Sequence, residues 1–339
     1  MGAEQKSDLA SNEPVPELNR WPEVLRFFPE ELREILAGVP ECAYVRIIEL
    51  RLRINRPFEL NCGGERIWLK RNGDITSQPA HALVVTPDLL KKVIGSITTS
   101  SFYALDEEIA KGYLALPGGH RVGFCGRVII NSGQIKFMRN ISSLNFRIAR
   151  EVRGIARPLL PLLWQDGRIL KTLILSPPAC GKTTLLREII RELSTGVTRL
   201  AIPPLHIGLV DERSEIAGSY QGIAQLDVGP HTDILDGCPK TFGVYLLLRS
   251  MNPQLIATDE IGRHEDIAMI EDIINAGVSF IATAHARNLS EAGSRPGLKK
   301  LLNSGAVERL VFLSNRLGIG TVESVRSGAA GRELWGLEK

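Results

Sequence analysis

The stretch "TLILSPPACGKTTLLREII", residues 172–190, decides how the rest of the chain is read. It begins as a short buried strand, turns through two prolines, reaches Gly-Lys-Thr-Thr and continues with a helical pattern. A strand, a tight loop and a helix in that order make a phosphate cradle. Successive backbone N–H groups point inward, and the helix N-terminus adds positive potential. Residues 176–183 fit the spacing G-x-x-x-x-G-K-[ST] at every fixed position but the first, where Ser176 stands in place of glycine. Gly181 lets the backbone come close to phosphate. Lys182 is placed to reach the β- and γ-phosphates, and the Thr183 hydroxyl to bind Mg2+. Pro177 and Pro178 stiffen the start of the loop, ahead of Ala179. The donors that matter most run from Cys180 to Thr184, and Cys180 itself reads as a small loop residue.

Three more strand ends follow. In "NPQLIATDE" a turn at Asn252-Pro253 leads into a short strand that ends on Asp259 and Glu260. A carboxylate on a strand end near such a loop holds Mg2+, and a glutamate just after it can orient and deprotonate the attacking water. That pair favours hydrolysis of ATP over phosphoryl transfer to a small molecule. In "LHIGLVDERSEI" the carboxylates of Asp211, Glu212 and Glu215 cluster with Arg213. Alone they would be a solvated turn. Beside a phosphate loop they fall at the crevice where α/β sheets bind ligands. In "SFIATAHARN" a buried strand runs straight into His285, which is either structural or a hydrogen-bonding sensor of the γ-phosphate.

The surrounding pattern sets the fold class. Strands are expected at 172–175, 205–210, 254–258 and 279–284, and helices at 182–193, 241–250 and 264–275, with strands at 309–313 and 319–324 completing the set. Such alternation predicts an α/β domain with a mostly parallel sheet and helices on both faces. It spans 151–326, after a junction marked by Gly154, Pro158 and Pro161, and a loose tail is expected over 327–339. A smaller α+β domain is expected over 21–150. Its helical pattern, "WPEVLRFFPEELREILAGV", is followed by the period-two run "IELRLRINRPFEL", a helix "PDLLKKVIGSI", a helix-to-strand segment "DEEIAKGYLAL", and strands in "HRVGFCGRVII", "QIKFM" and "SLNFRIAR". Residues 1–20 read as a polar, disordered leader.

The 339 residues, 44% of them hydrophobic, suffice for two cores, and the net charge of +3 is too small to announce a nucleic-acid protein. Five cysteines, at 42, 62, 125, 180 and 238, show no metal-ligand spacing and read as reduced thiols of a cytoplasmic protein. No stretch has the length and apolarity of a membrane span, and the run at 244–248 stops at Arg249. In the first domain Arg121, Arg127 and Arg147 are surface arginines by default. The alternative is that some reach a nucleotide on a neighbouring subunit and stabilise transition-state charge there.

Taken in order, the loop at 176–184, the acids at 211–215, the strand end at 255–260 and the histidine segment at 283–288 resemble the secretion-type ATPases, the hexameric motors of type II and type IV secretion and of pili. Those proteins carry a Walker A loop, an acidic box, a Walker B strand and a histidine box in the same order. "IELRLRINRPFEL", "GYLALPGGHRVGFCGR", "DERSEIAGS", "DVGPHTDILDGCPK" and "LLLRSMNPQLIATDEIG" resemble a sporulation branch of that superfamily more closely, across about residues 27–325. The resemblance implies a RecA-like ATPase domain and a homo-oligomer, a hexamer, with ATP held between subunits. It also implies work in the mother-cell cytoplasm of an endospore former, peripheral to the forespore outer membrane through membrane-embedded channel proteins. Under it Lys182 and Thr183 are the Walker A pair, Asp259 and Glu260 the Walker B pair, Glu215 the acidic-box glutamate and His285 the box histidine. Whether Glu215 or Glu260 is the main base stays open. Two rivals also stand: a nucleic-acid-stimulated RecA-like motor, and a nucleotide-gated scaffold with little turnover. No nucleic-acid partner is expected, because no basic stripe interleaved with aromatics is present.

Overall fold

The computed structural model describes residues 20–98, 112–131, 134–318, 320–328 and 331–337. These fall into two units that divide between Arg150 and Glu151.

The first unit begins with three short helices, α1 (Trp21–Leu25), α2 (Glu30–Ala37) and α3 (Glu41–Tyr44). The helical pattern at 21–39 is interrupted because the residue before a proline is driven out of the helical region. Pro29 then caps α2, with Glu30 and Glu31 in the first turn, where the helix dipole favours acids. The strands are β1 (Glu49–Arg53), β2 (Glu59–Asn61), β3 (Arg66–Leu69), β4 (Ile75–Thr76), β5 (Tyr113–Ala115), β6 (Arg121–Asn131) and β7 (Gln134–Arg147), with helix α4 (Pro87–Ile97) between β4 and β5. They form one antiparallel sheet in the order β4-β3-β2-β1-β7-β6-β5. Alternation in β1 works as read. Leu50 and Leu52 are buried, while Arg51 and Arg53 lie on the other face and pair with Glu49 and Glu59 at 2.7 and 2.6 Å. The core closes around Phe28, Phe58 and Phe146.

"QIKFM" and "SLNFRIAR" do not form separate strands; most of both belongs to β7. A bulge absorbs the polar residues between them. Gly126 on β6 faces it so closely that a Cβ would sit 2.7 Å from the Arg139 carbonyl. The leader at 1–19 and most of "DEEIAKGYLAL" lie outside the described residues. Arg20 is buried and donates to the Gly118 carbonyl at 2.8 Å, so it belongs to the packed unit rather than to a leader.

The second unit opens with α5 (Leu160–Leu163) and a small hairpin, β8 (Trp164–Gln165) and β9 (Arg168–Ile169), turned by Asp166-Gly167. Then come β10 (Thr172–Ser176), α6 (Lys182–Thr195), β11 (Ile207–Asp211), β12 (Thr232–Asp236), α7 (Lys240–Ser250), β13 (Leu255–Thr258), α8 (His264–Asn275), β14 (Ser279–His285), α9 (Leu289–Ser294), α10 (Pro296–Asn303), β15 (Arg309–Ser314), β16 (Thr321–Ser327) and β17 (Glu333–Gly336). The sheet order is β12-β11-β13-β14-β10-β15-β16-β17. It is parallel from β12 to β15 and antiparallel at its last two strands.

Central strand β10 is apolar on both faces because both are covered. Ile174 packs with Leu185, Leu186 and Ile189 of α6, while Leu173 and Leu175 pack with α7, α8 and α10 on the opposite side. Helix α7 lies close on β11. A Cβ at Gly243 would meet Val210 at 2.7 Å, and one at Gly208 would meet Leu247 at 2.9 Å. Two departures from the sequence reading stand out. Edge strand β12, "TDILD", was not foreseen, since none of its residues is fully buried and only Ile234 and Leu235, one on each face, interrupt a polar pattern. The expected loose tail instead holds β17, where Val325 pairs with Trp335 and the indole packs on the core. No helix among the described residues is long and apolar enough to cross a membrane.

Candidate active site

Parallel strands end on one edge of the sheet, so β10, β11, β13 and β14 deliver Ser176, Asp211, Asp259 and His285 to a common crevice. Ser176 lies directly beside His285 in the β10–β14 register, and the Ala286 N–H donates to the Ser176 carbonyl at 3.2 Å. The loop then turns through two left-handed residues, Ala179 at φ 59° and Gly181 at φ 83°, and Gly181 caps α6. The first turn of α6 carries Lys182, Thr183 and Thr184, whose N–H groups have no intrahelical acceptor.

Lys182 is 6% exposed, and its ammonium has three neighbours: the Ser176 hydroxyl at 3.2 Å, the Pro177 carbonyl at 3.1 Å and His285 Nδ1 at 3.1 Å. An ammonium only donates, so Nδ1 accepts and the imidazole carries its proton on Nε2. That N–H faces Glu260 Oε1 at 3.3 Å, and Glu260 Oε2 meets Arg213 Nη1 at 3.0 Å. Burial holds the Lys182 ammonium below the ordinary lysine range, an effect the Glu260 carboxylate opposes. Glu260 itself sits at φ 41°, a strained region for this residue type, and its N–H donates to the Thr283 hydroxyl at 2.9 Å.

Asp259 is 2% exposed, and its Oδ1 has no hydrogen-bond partner among the described residues. Burial, then the negative charge of Asp211, pushes its pKa up to about 7; Lys240 pulls it down, while Glu215 and Glu260 add to the rise. Asp211 is fully buried and accepts from the N–H groups of Glu215, Ile216 and Ala217 at 2.8–2.9 Å, folding the acidic segment into a turn. Burial raises the Asp211 pKa as well. Arg187 of α6 donates to the carbonyls of Glu215 and Ile216, which ties the acidic turn to α6. Lys240, at the start of α7, pairs with Glu212.

The chain matches the family described as "Sporulation stage III, protein AA" over residues 18–332. It belongs to that family. The stage III sporulation protein AA of Bacillus subtilis (strain 168) is 43% identical over 303 residues, covering 89% of this chain and 94% of its own. Among solved structures, the Legionella pneumophila ATPase DotB aligns with a TM-score of 0.54 at 14% identity, covering 89% of this chain and 78% of that one. The Yersinia pseudotuberculosis ATPase DotB gives 0.50 at 12% identity, covering 89% and 77%. The likeness is one of fold: the second unit is a RecA-like α/β domain with a mostly parallel sheet, preceded by an α+β unit.

Within this family member, Lys182, Thr183, Glu215, Asp259, Glu260 and His285 all belong to the one α/β unit, and hydrogen bonds or charge link all but Thr183. Arg121 and Arg147 are brought together as opposed residues of β6 and β7. The Arg121 guanidinium lies over the Tyr113 ring, 3.9 Å from its centroid, and Arg147 Nε is 3.7 Å from Glu49. Arg127 is not part of that pair. It lies beyond the bulge, opposite Arg139. Sequence reasoning missed Lys240, Thr283 and the role of the Ser176 hydroxyl. The signal for Thr283 was its place two residues before His285 on a strand with alternating faces.

Ser176 does not take a left-handed backbone, so its position does not need glycine; Ala179 does. Ala179→Gly should therefore stabilise the nucleotide-free protein by about 0.5–1 kcal/mol, relief of strain exceeding the added unfolded-state freedom. Ser176→Gly should destabilise it by roughly 1 kcal/mol, through the lost hydroxyl bonds and added chain freedom. Urea denaturation midpoints check both, and equal midpoints for the two variants would contradict this reading of the loop.

Proposed function

We propose that this protein hydrolyses ATP to ADP and phosphate and works as an oligomeric motor, a hexamer, of the mother cell–forespore channel. It would act from the mother-cell cytoplasm on membrane-embedded partners. The observation that carries the reading is Asp259, a buried carboxylate with an oxygen that has no partner among the described residues, one strand from His285 and close to Lys240, Glu215 and Glu260. A buried carboxylate that lacks a donor is costly unless a ligand completes it. The donor set fits Mg2+, a hard cation that takes one or two carboxylates and substrate phosphates. Thr183 and Asp259 would hold it. When bound, it neutralises charge on the phosphate oxygens.

The chain's own residues account for the remaining work. The loop amides from 180 to 184, with Ser176, Pro177, Pro178 and Ala179 shaping the turn, bind the phosphates. Lys182 exchanges Ser176, Pro177 and His285 for phosphate oxygens. Freed of Lys182, His285 Nδ1 can take part in sensing the γ-phosphate. Glu260 orients water and takes its proton as the water oxygen bonds to the γ-phosphorus, the bond from that phosphorus to the bridging oxygen breaks, and ADP leaves with the electron pair. Its contact with His285, beside Ser176 and Lys182, favours it over Glu215.

Arg121 and Arg147, paired on one sheet face, are the better candidates for action on a neighbour's nucleotide; Arg127 is set apart. A shared site makes specific activity rise steeply with protein concentration. Phosphate release measured across a dilution series, with and without Mg2+, tests this. Activity independent of concentration would remove the shared site, and no release at all would remove the ATPase reading. Replacing Arg121 and Arg147 together by alanine should lower turnover by about 1000-fold with ATP binding retained.

A further inference from the structure

A cleft of about 510 Å3 opens beside the first half of the P-loop. Residues 176–178 form one wall, and His285, Arg287, Glu291 and Arg295 line the other. One carboxylate occupies both arginines. Glu291 Oε2 accepts from the Arg287 N–H at 2.8 Å and from its Nε at 3.1 Å, and Oε1 accepts from Arg295 Nη2 at 3.2 Å. The Glu291 N–H is itself held by the Asn288 side chain at 2.8 Å, which fixes the acid at the cleft. Two guanidiniums against one carboxylate leave a net positive charge. His285 lies in the same wall, with Nδ1 3.1 Å from the Lys182 ammonium, so the cleft adjoins the group proposed to hold the terminal phosphate.

A phosphate dianion offers more acceptor oxygens and more charge than the single carboxylate it would displace, and guanidinium forks match it bidentately. The volume lies within the 300–1,000 Å3 range of small-ligand sites, which leaves room for phosphate and its waters.

We infer that this cleft binds a phosphate dianion, with Arg287 and Arg295 turning from Glu291 to hold it, and that it is the release route for the phosphate cut from ATP. The release role rests on the ATPase reading above; binding of the anion does not. The full-length protein is titrated with inorganic phosphate in the absence of nucleotide, and binding is read by phosphorus NMR line broadening. Arg287→Ala/Arg295→Ala should weaken binding at least 10-fold. Glu291→Gln, which removes the competing charge, should tighten it about 3- to 10-fold. Both arginines are well exposed, at 76% and 45%, so the double variant should fold.

In ATP turnover, the double variant should lose inhibition by added phosphate, and release seen by a phosphate sensor should lag behind cleavage measured by rapid quench. Phosphate binding that survives the double variant but is lost in Lys182→Ala places the anion on the P-loop alone and overturns the proposal. Weakened binding with an unchanged lag overturns the release route, leaving only a site for phosphate from bulk. Absence of ATP cleavage in the parent protein would refute the ATPase reading without touching the binding measurement.

Discussion

Lys182→Ala is expected to reduce ATP turnover at least about 100-fold while the nucleotide-free fold survives. Removing one preorganised donor from developing phosphoryl charge typically costs two to three powers of ten, and Lys182 is the cation of this loop. The fold should tolerate the change because burial already disfavours the ammonium, and its three acceptors include a hydroxyl and an imidazole that can re-pair. Released from Lys182, His285 would keep Glu260 as its partner. Phosphate release and thermal melting of the same preparation check both halves. Full activity in this variant would end the assignment of the loop as the catalytic phosphate site. A collapsed melting transition would show instead that Lys182 is mainly structural.

Asp259→Asn should act in two opposite directions. The carboxylate costs stability in the nucleotide-free protein because it is buried, lacks a donor on Oδ1 and faces the negative charges of Asp211, Glu215 and Glu260. Its folded pKa of about 7 stands above the ordinary carboxylate value of 3.8. Between about pH 4 and pH 7 the native chain therefore holds a proton that the unfolded chain has released. The parent protein loses stability as pH rises through that window, and the loss is complete above the folded pKa. An amide has no such penalty. The variant should be more stable than the parent by roughly 2–4 kcal/mol at pH 8, with the gap closing towards pH 4. The same change should abolish Mg2+-dependent turnover, since the amide cannot replace a charged ligand. Denaturation at pH 5 and pH 8, alongside activity, decides the matter. A variant less stable than the parent at pH 8 would show that a partner compensates the Asp259 charge.

Hydrophobic patterning made the α/β unit readable because each core strand is apolar on both faces and helices α6 and α8 each turn one apolar face to the sheet. β10, β11, β13 and β14 fall close to where their runs suggest, and α8 falls at 264–275 as read. β12 and β17 were missed for one physical reason: strands at the edge of a sheet are only partly buried and carry few apolar residues, so their sequences resemble loops. β7 was split for another. A bulge lets a polar interruption stay inside a continuous ladder, and only the partner strand, through Gly126, shows this.

The site divides the same way. Residue type and spacing alone mark Gly181, Lys182, Thr183, Asp259, Glu260 and His285, because phosphate and metal chemistry demand those groups just past strand ends. Sequence cannot say what each does before nucleotide arrives. That Lys182 rests on the Ser176 hydroxyl and on His285 depends on β10 lying beside β14, strands separated by more than a hundred residues. That Asp259 is buried without a donor while Asp211 takes three depends on how the acidic turn folds under Arg187. That Arg121 meets Arg147 and not Arg127 depends on strand register. The sequence determined which groups are available and the order of strands and helices that carries them. Pairing across the sheet decided which groups touch, since hydrogen bonds and charges act over a few ångströms of space whatever their separation along the chain.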